Sequence, residues 1–274
     1  MNKQVQFPVI ALSLLLLGGP LIAQQPAVNE FYQDFRNKRP LSDDFRFRGF
    51  DPDNEMKPEN EGLRVTLPAE RGKHDFFEVI AGFPLEADFE LTATYEILAA
   101  KQPLKGYGVG VNLTISTETQ PRKFGKLCRV LRAKDGSVYV AEMWPKFKNK
   151  TKPTEVRAGQ LRLARIGPAL HYLVSDGPGQ AFEQIWEVKD YGTDVVTYAG
   201  FQVGDSGEPG NPVDARIIDL RFRLGKIELA KAATPAPLAV PAPADENVPP
   251  RPLDNVPRWF MALIVAGYSS LFCW

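Results

Sequence analysis

The sequence of residues 161–188, LRLARIGPALHYLVSDGPGQAFEQIWEV, decides the fold. It contains three short runs of alternating apolar residues, at Leu161–Ile166, Ala169–Ser175 and Phe182–Val188. Gly167-Pro168 separates the first two runs, and Asp176-Gly177 begins the turn before the third. Such runs, bounded by glycine, proline and aspartate, are typical of antiparallel strands joined by tight turns. The stretch predicts a three-stranded meander, with Phe182 and Trp186 on the face that packs into the core.

The same alternation extends to both sides of the meander. Further strands are predicted at Leu63–Leu67, Phe76–Phe83, Asp88–Ile97, Tyr107–Ile115, Val195–Val203 and Ala215–Leu224. A hairpin is predicted from Lys126–Arg132 and Ser137–Met143, with Asp135-Gly136 as its turn. No segment between the strands shows a convincing amphipathic helix. We therefore predict an all-β fold, either a sandwich or a barrel.

Two of these strands carry a specific prediction about their faces. In 88–97, Phe89, Leu91, Ala93, Tyr95 and Ile97 alternate with Glu90, Thr92, Thr94 and Glu96. This pattern predicts one buried face and one face in contact with water. In 215–224, one face is predicted to hold Ile218, Leu220, Phe222 and Leu224.

Composition and charge exclude some classes of function. The chain has 274 residues, with 33 Lys and Arg against 33 Asp and Glu. A dedicated nucleic-acid-binding protein needs a basic footprint, so no nucleic-acid partner is predicted. The two cysteines, Cys128 and Cys273, are not expected to pair within one folded domain, and Cys128 is predicted to be a small buried apolar residue.

The two ends of the chain differ from its body. Residues 1–23 have a basic start at Lys3, an apolar run from Phe7 to Leu17 and a small residue, Ala23, before polar Gln24. This order predicts a cleaved signal peptide, with an uncleaved anchor as the alternative, and export by either route. Residues 232–257 are rich in proline and alanine and predict an extended linker. The apolar residues 259–274 predict a C-terminal tail that tethers the protein to a membrane, although 16 helical residues span only about 24 Å, with a disordered or docked apolar tail as the alternative.

The body of the chain resembles a known fold superfamily. RLARIGPALHYLVSDG, followed by FEQIWEV and DARIIDLRFR, is similar to the concanavalin A-like lectin and glucanase sandwich. More narrowly, FYQDFR, EGLRVTLP, DFELTATYEIL and KGYGVGVNL resemble a planctomycete family of exported proteins. The resemblance implies a jelly roll of two antiparallel sheets, here over residues 28–226. It carries over no catalytic residue, and although related lectins use calcium, no ligands can be named and no metal or cofactor is predicted.

Motifs for catalysis are weak. Glycosidases of this fold resemble one another in a Glu-x-Asp-x-x-Glu strand, and no such run is present. Glu183 and Glu187 would lie about 13 Å apart along a strand, too far for the ~5.5–9.5 Å separation of glycosidase carboxylates. Gly204–Gly207 resembles a protease nucleophile segment, but a turn explains these residues and neither His74 nor His171 is in the expected setting.

One segment combines aromatic rings with positive charge. The predicted loop from Trp144 to Lys152 contains two aromatic residues and four lysines: Trp144, Lys146, Phe147, Lys148, Lys150 and Lys152. Flat rings stack on sugar faces and lysines attract anions, so these six residues are the candidate ligand-binding site. The alternative is a solvated loop whose rings close over the edge of the sandwich.

Three classes of function remain. The first is a non-catalytic surface module that binds a polysaccharide or cell-wall polymer. The second is a structural domain or one that binds a cell-surface protein. The third is a glycoside hydrolase or lyase of the same fold, which would need a pair of carboxylates in a groove.

Overall fold

The computed structural model describes residues 29–49, 51–69, 76–177, 179–204 and 211–229. All of them belong to one compact unit. The predicted signal peptide, linker and C-terminal tail lie outside the described residues, as do His74, Cys273 and residues 205–207. Across the described ranges, no helix is both long enough and apolar enough to cross a membrane.

Fifteen described strands form two antiparallel sheets. Sheet A contains β1 Asn29–Asp34, β3 Met56–Pro58, β4 Leu63–Leu67, β6 Phe89–Ala100, β11 Ala158–Ile166, β12 Ala169–Ser175, β13 Glu183–Val188 and β15 Val213–Leu224. Its order is β13-β12-β11-β6-β15-β4-β3, and β1 also pairs with β15. Sheet B contains β2 Phe45–Arg48, β5 Phe77–Ala81, β7 Val109–Thr117, β8 Phe124–Arg132, β9 Gly136–Trp144, β10 Lys148–Pro153 and β14 Val196–Val203. Its order is β10-β9-β8-β7-β14-β5-β2, so the predicted all-β sandwich of two antiparallel sheets is confirmed.

Helical structure is confined to two short pieces within the described residues. A single 3₁₀ turn covers Arg36–Lys38, and the one-turn helix α1 covers Pro52–Glu55. Residues 51–61 are rich in acidic side chains, and within them α1 leads directly into β3 at the edge of sheet A. The Asp51 carboxylate accepts a hydrogen bond from the Asn54 amide at 2.7 Å, which helps to close this turn.

The predicted meander is confirmed as β11, β12 and β13. A β-bulge changes its last strand, because Tyr172 pairs with Trp186 whereas Leu173 pairs with Gln184. The extra residue reverses the alternation of side chains along the strand. Trp186 therefore packs inward against Tyr172, with ring centroids 5.2 Å apart. Phe182 instead lies on the outer face under the Arg162 guanidinium, 3.7 Å away, so the prediction that Phe182 and Trp186 share a face is wrong.

A second bulge changes the central strand β15. Ile217 pairs with Tyr95 and Asp219 pairs with Thr94 of β6, which leaves Ile218 as the extra residue. The buried face of β15 therefore holds Val213, Ala215, Ile217, Leu220 and Phe222. Ile218 does not belong to that face, and its predicted placement beside Leu220 is wrong.

The outer face of sheet A is covered by its own ion pairs. Glu90 pairs with Arg162 at 3.2 Å and with Arg223 at 3.7 Å, and the side chains of this network cover β6. Glu90, Thr92 and Thr94 are at most 4% exposed. The predicted water-facing side of β6 is thus buried beneath arginine side chains, contrary to the expectation. Arg216 pairs with Glu96 at 2.5 Å and Arg221 with Glu30 at 3.4 Å on the same sheet, so these arginines offer little to a charged ligand.

Candidate functional site

The outer face of sheet B is built differently and is the candidate functional site. In β7 the core-facing residues are Val109, Val111, Leu113 and Ile115, so the alternate residues point outward. Residues paired across neighbouring strands point the same way. The pairing therefore places the following side chains on the outer face of sheet B: Glu78, Ile80, Asn112, Thr114, Ser116, Phe124, Lys126, Cys128, Val130, Val138, Val140, Glu142, Trp144, Tyr198 and Gln202.

One side of this face is a hydrogen-bonded group around Glu78. The fully buried Glu78 carboxylate accepts hydrogen bonds from Tyr198 Oη at 2.6 Å and from the Gln202 amide. The Arg48 guanidinium lies 2.5 Å from its second oxygen. Burial raises the pKa of Glu78 above its ordinary value, while the hydrogen bond from Tyr198 and the charge of Arg48 act in the opposite direction. This acid is therefore held by several partners at once.

The centre of the face carries small polar side chains. Asn112 Oδ1 accepts a hydrogen bond from Thr114 Oγ1 at 2.8 Å, and Ser116 Oγ accepts one from Arg122 Nε at 2.6 Å. The Asn112 amide nitrogen is buried and has no partner within the described part of the chain. Asn112 begins an Asn-Leu-Thr sequon, but it is 0% exposed. A glycan could not be attached to it in the folded domain.

An apolar cluster occupies the next part of the face. It consists of Cys128, Val130, Val138 and Val140, and the Tyr107 side chain packs against it. Cys128 is 0% exposed, which confirms its prediction as a small buried residue, although it lies on the outer side of sheet B. Burial raises the pKa of Tyr107, whose hydroxyl lies 3.5 Å from the Cys128 sulfur.

The face ends in a pair of exposed aromatic rings. Trp144 is 43% exposed and Phe147 is 50% exposed, and their ring centroids are 4.8 Å apart at an angle of 47°. Trp144 pairs with Phe124 on β8. Two large rings left in solvent at the end of a polar face can stack against the apolar side of a sugar ring.

The predicted loop over 144–152 is mostly strand. The strand β9 ends at Trp144 and β10 begins at Lys148, so only Pro145–Phe147 form the turn. The sequence of β10, KNKTKP, has no apolar alternation from which a strand could be predicted. It is held by its ladder to β9, where Lys148 pairs with Met143 and Lys150 pairs with Ala141.

This pairing separates the lysines from the outer face. Met143 and Ala141 pack in or against the core, so Lys148, Lys150 and Lys152 project on the inner side of the edge strand, opposite to Trp144. Lys152 forms an ion pair with Glu183 of β13. Lys148 and Lys146 line a cavity of about 190 Å³ together with Trp144 and Asp190. The structure thus groups Trp144 with Phe147 and with two of the lysines, whereas Lys150 and Lys152 lie apart.

The lysines of β10 also have a structural explanation. β10 is the edge strand of sheet B, and lysine and proline on an edge discourage pairing with another chain. Lys148, Lys150, Lys152 and Pro153 fit this role without any ligand. The two rings have no such explanation, because exposed aromatic side chains give no protection of this kind.

The two carboxylates on the outer face of sheet B are too far apart to act as a glycosidase pair. Glu78 on β5 and Glu142 on β9 are separated by four strand spacings, or about 19 Å, against at most ~9.5 Å in glycosidases. The β13 bulge places Glu183 on the side of Val174, which faces the core, and Glu187 beside His171 on the outer side. These two carboxylates therefore lie on opposite faces of sheet A.

The described residues also contain no candidate metal centre. Among them there is no group of three or more His, Cys, Asp or Glu side chains that could hold a metal ion.

The fold and the outer face of sheet B together define a class of protein. It is an antiparallel two-sheet sandwich domain whose outer face ends in the exposed rings of Trp144 and Phe147. The chain belongs to the family described as "Protein of unknown function (DUF1583) C domain", which matches residues 23–240. Comparison with curated proteins found no match.

Several solved structures are similar to the chain in architecture. The metal-free lectin I-B4 from Griffonia simplicifolia is 11% identical over 71% of this chain and 98% of its own, with a TM-score of 0.49. A legume lectin-like domain from Entamoeba histolytica is 10% identical over 71% and 97%, with a TM-score of 0.48. The apo Crh5 transglycosylase is 12% identical over 72% and 85%, with a TM-score of 0.49. At these identities and scores the similarity says nothing about a ligand.

The buried carboxyl group on the face predicts a pH-dependent stability. Since the pKa of Glu78 is raised above 4.5 in the folded protein, the unfolded chain loses this proton first as the pH rises. Wild type should therefore lose stability relative to Glu78→Gln when the pH rises from 4.5 through the raised pKa, and the difference should then level off. Urea unfolding of both proteins between pH 4 and pH 8 measures this difference. A difference that grows in favour of wild type over the same range would contradict it.

Proposed function

We propose that this domain is a non-catalytic module that binds an acidic polysaccharide on the outer face of sheet B. The observation that carries the proposal is the ring pair Trp144 and Phe147, which stands exposed at the end of that face. Sugar rings stack on such exposed aromatic surfaces. Lys146 lies in the turn between the two rings and supplies attraction for carboxylate or sulfate groups, and Lys148 reaches the adjoining cavity from the inner side of β10. The wide separation of Glu78 and Glu142 favours binding over cleavage.

The affinity should be modest and sensitive to salt. Each ring contributes about 1 kcal/mol through stacking, so the pair accounts for about tenfold or more in affinity. The lysine attraction is screened as the Debye length falls from ~8 Å at physiological salt to ~3 Å at 1 M. Such a site becomes effective on a polymer with repeated ligands or when many copies are tethered together.

Removal of both rings tests the proposal. The Trp144→Ala, Phe147→Ala double variant should bind a polyuronate, such as alginate or polygalacturonate, at least tenfold more weakly than wild type. Affinity electrophoresis and calorimetry with the 274-residue chain, at low and high salt, measure the change. The matched control is Leu104→Ala. Leu104 is an apolar residue of a different loop and is 98% exposed.

Two results would count against the proposed site. Binding that survives both the double variant and high salt would place the ligand elsewhere. Absence of binding to every polysaccharide would favour a structural or protein-binding role for the same domain.

We further propose that the domain acts outside the cell, held to a membrane by its tail. The signal-peptide pattern of residues 1–23, the Pro- and Ala-rich residues 232–257 and the apolar residues 259–274 support this arrangement. The resemblance to exported planctomycete proteins points the same way. Tethering would hold many copies at one surface, which suits a weak site for a repeating polymer.

Deletion of the tail tests the tether. Removing residues 258–274 should move the protein from the membrane fraction to the soluble exported fraction, as measured by fractionation and immunoblotting. Recovery of the intact chain in the soluble fraction would show that the tail is no anchor. The Trp144→Ala, Phe147→Ala variant is the control, since it should fractionate like wild type.

A further inference from the structure

A cavity at one end of the sandwich lies away from the outer face of sheet B. It has a volume of about 330 Å³ and opens between β6, the start of β9 and the connection from β10 to β11. Its polar lining consists of Gln102, Arg129, Ser137, Glu155 and Arg157, and Ile97 and Leu131 provide apolar walls. Concave sites of this size with a few convergent polar groups are typical of small-ligand sites.

Arg129 is the unusual member of this lining. It is only 3% exposed, and its three nitrogen atoms donate to Val156 O at 2.8 Å, Val130 O at 3.2 Å and Ser137 Oγ at 2.9 Å. These three partners are neutral oxygens, and they use three of the five N–H groups of a guanidinium. Burial lowers the pKa of Arg129 while the charge of Glu155 opposes this. A buried cation held only by neutral acceptors is costly unless an anion balances it.

The second arginine of the cavity is placed differently. Arg157 is exposed and follows the Val156 carbonyl that Arg129 holds, so its side chain stands at the mouth of the cavity. Within the described ranges the hydrogen-bond partners of the Arg129 side chain include no carboxylate, although the charge of Glu155 acts on it. The lining therefore has two guanidinium groups against one carboxylate, that of Glu155. This excess of one positive charge suits a monoanion better than a phosphate dianion.

We propose that this end cavity binds a hexuronate, the sugar acid of an acidic polysaccharide, as a monosaccharide or chain end. Arg157 holds its carboxylate with its planar guanidinium fork, which matches a carboxylate in two hydrogen bonds, and Arg129 adds the two N–H groups that its protein partners do not use. Gln102 and Ser137 contact ring hydroxyls, while Ile97 and Leu131 pack against ring carbons. This proposal is based on the lining of the end cavity, which does not include Trp144 or Phe147.

Calorimetric titration of the 274-residue chain with D-glucuronate tests this site. One equivalent of glucuronate should bind, whereas D-glucose, which lacks the carboxylate, and inorganic phosphate should bind at least tenfold more weakly. Arg157→Gln should weaken glucuronate binding about tenfold through loss of one charged hydrogen bond. It should leave the unfolding midpoint in urea nearly unchanged, because Arg157 is exposed.

Further variants separate a ligand role from a structural one. Arg129→Lys keeps the charge but loses the fork, and should also weaken glucuronate binding. If that variant unfolds because Arg129 supports Val156, Arg157→Gln alone decides the outcome. Arg39→Gln is the matched control, since it removes an exposed arginine that pairs with Asp34 in a different part of the domain.

The result separates this site from the proposed function. The Trp144→Ala, Phe147→Ala variant should bind glucuronate as tightly as wild type does, even though its polysaccharide binding is reduced. Absence of glucuronate binding at millimolar concentration, or binding unaffected by Arg157→Gln, would overturn the inference. Equal binding of phosphate would show a general anion site and overturn the assignment to a sugar acid.

Discussion

Replacing Phe222 with alanine should lower the free energy of unfolding by about 3–5 kcal/mol, the usual cost of emptying a buried phenylalanine site. Phe222 of β15 is 0% exposed. Its ring lies 5.7 Å from Phe45 and 5.4 Å from Phe83, measured between centroids. Phe45 belongs to sheet B and Phe222 to sheet A, so this cluster joins the two sheets. The loss is large against the 5–15 kcal/mol that is typical for a domain of this kind.

A control on the neighbouring strand separates packing from aromatic content. Tyr32 of β1 is 39% exposed and pairs with Arg221 on the same sheet. Tyr32→Ala should cost clearly less than Phe222→Ala, because more than a third of Tyr32 stays in water whereas none of Phe222 does. Denaturant unfolding of the three proteins gives both values. Equal losses in Phe222→Ala and Tyr32→Ala would show that the ring cluster does not hold the sheets together.

Replacing Gly110 with alanine should destabilise the domain by about 3 kcal/mol, the upper end of the usual cost of overpacking. A Cβ atom at this position would lie 2.1 Å from the carbonyl oxygen of Arg129 and 3.0 Å from the Cα of Val130. Both contacts are with the backbone of β8, so no side-chain rotation relieves them. The strands β7 and β8 would have to separate beneath the candidate binding face.

Gly177 provides the matched glycine for this comparison. Its nearest neighbour is the flexible side chain of Gln180, at 3.2 Å. Gly177→Ala should therefore change the free energy of unfolding little, because Gln180 can move aside. The unfolding midpoints of both variants test the difference, and a Gly110→Ala protein as stable as Gly177→Ala would contradict the argument.

Alternation in the sequence predicts which strands exist more reliably than it predicts their faces. The strands of the meander and the hairpin around Gly136 follow from apolar alternation and turn residues. The bulges at Ile185 and Ile218 cannot be predicted in this way, because an extra residue reverses the alternation without changing the composition of the strand. Phe182 and Ile218 were consequently assigned to the wrong faces.

The candidate site illustrates a different limit. Trp144 and Phe147 stand out in the sequence because they interrupt a run of lysines. Lys150 and Lys152 were grouped with them because β10 has no apolar alternation, and only its ladder with β9 shows which way the lysines point.

The polar part of the outer face was overlooked, although weak signals for it exist in the sequence. A single acid, Glu78, interrupts an otherwise apolar run, and Asn112 and Thr114 are small polar residues where a solvent-exposed strand often has charges. Whether these residues form a common site depends on which strands are neighbours in the sheet. Glu78 meets Tyr198 and Gln202 only because β5 pairs with β14, which follows more than a hundred residues later in the chain.

The position of β15 has a consequence for how the domain folds. This last strand pairs with β6 along one side and with both β4 and β1 along the other, so that Asn29 meets Leu224. Contacts between such distant residues are slow to form, and folding in milliseconds to seconds is expected of a sheet with this topology. A growing chain cannot complete sheet A until residue 224 has been synthesised. Until then β1 lacks its partner strand in sheet A.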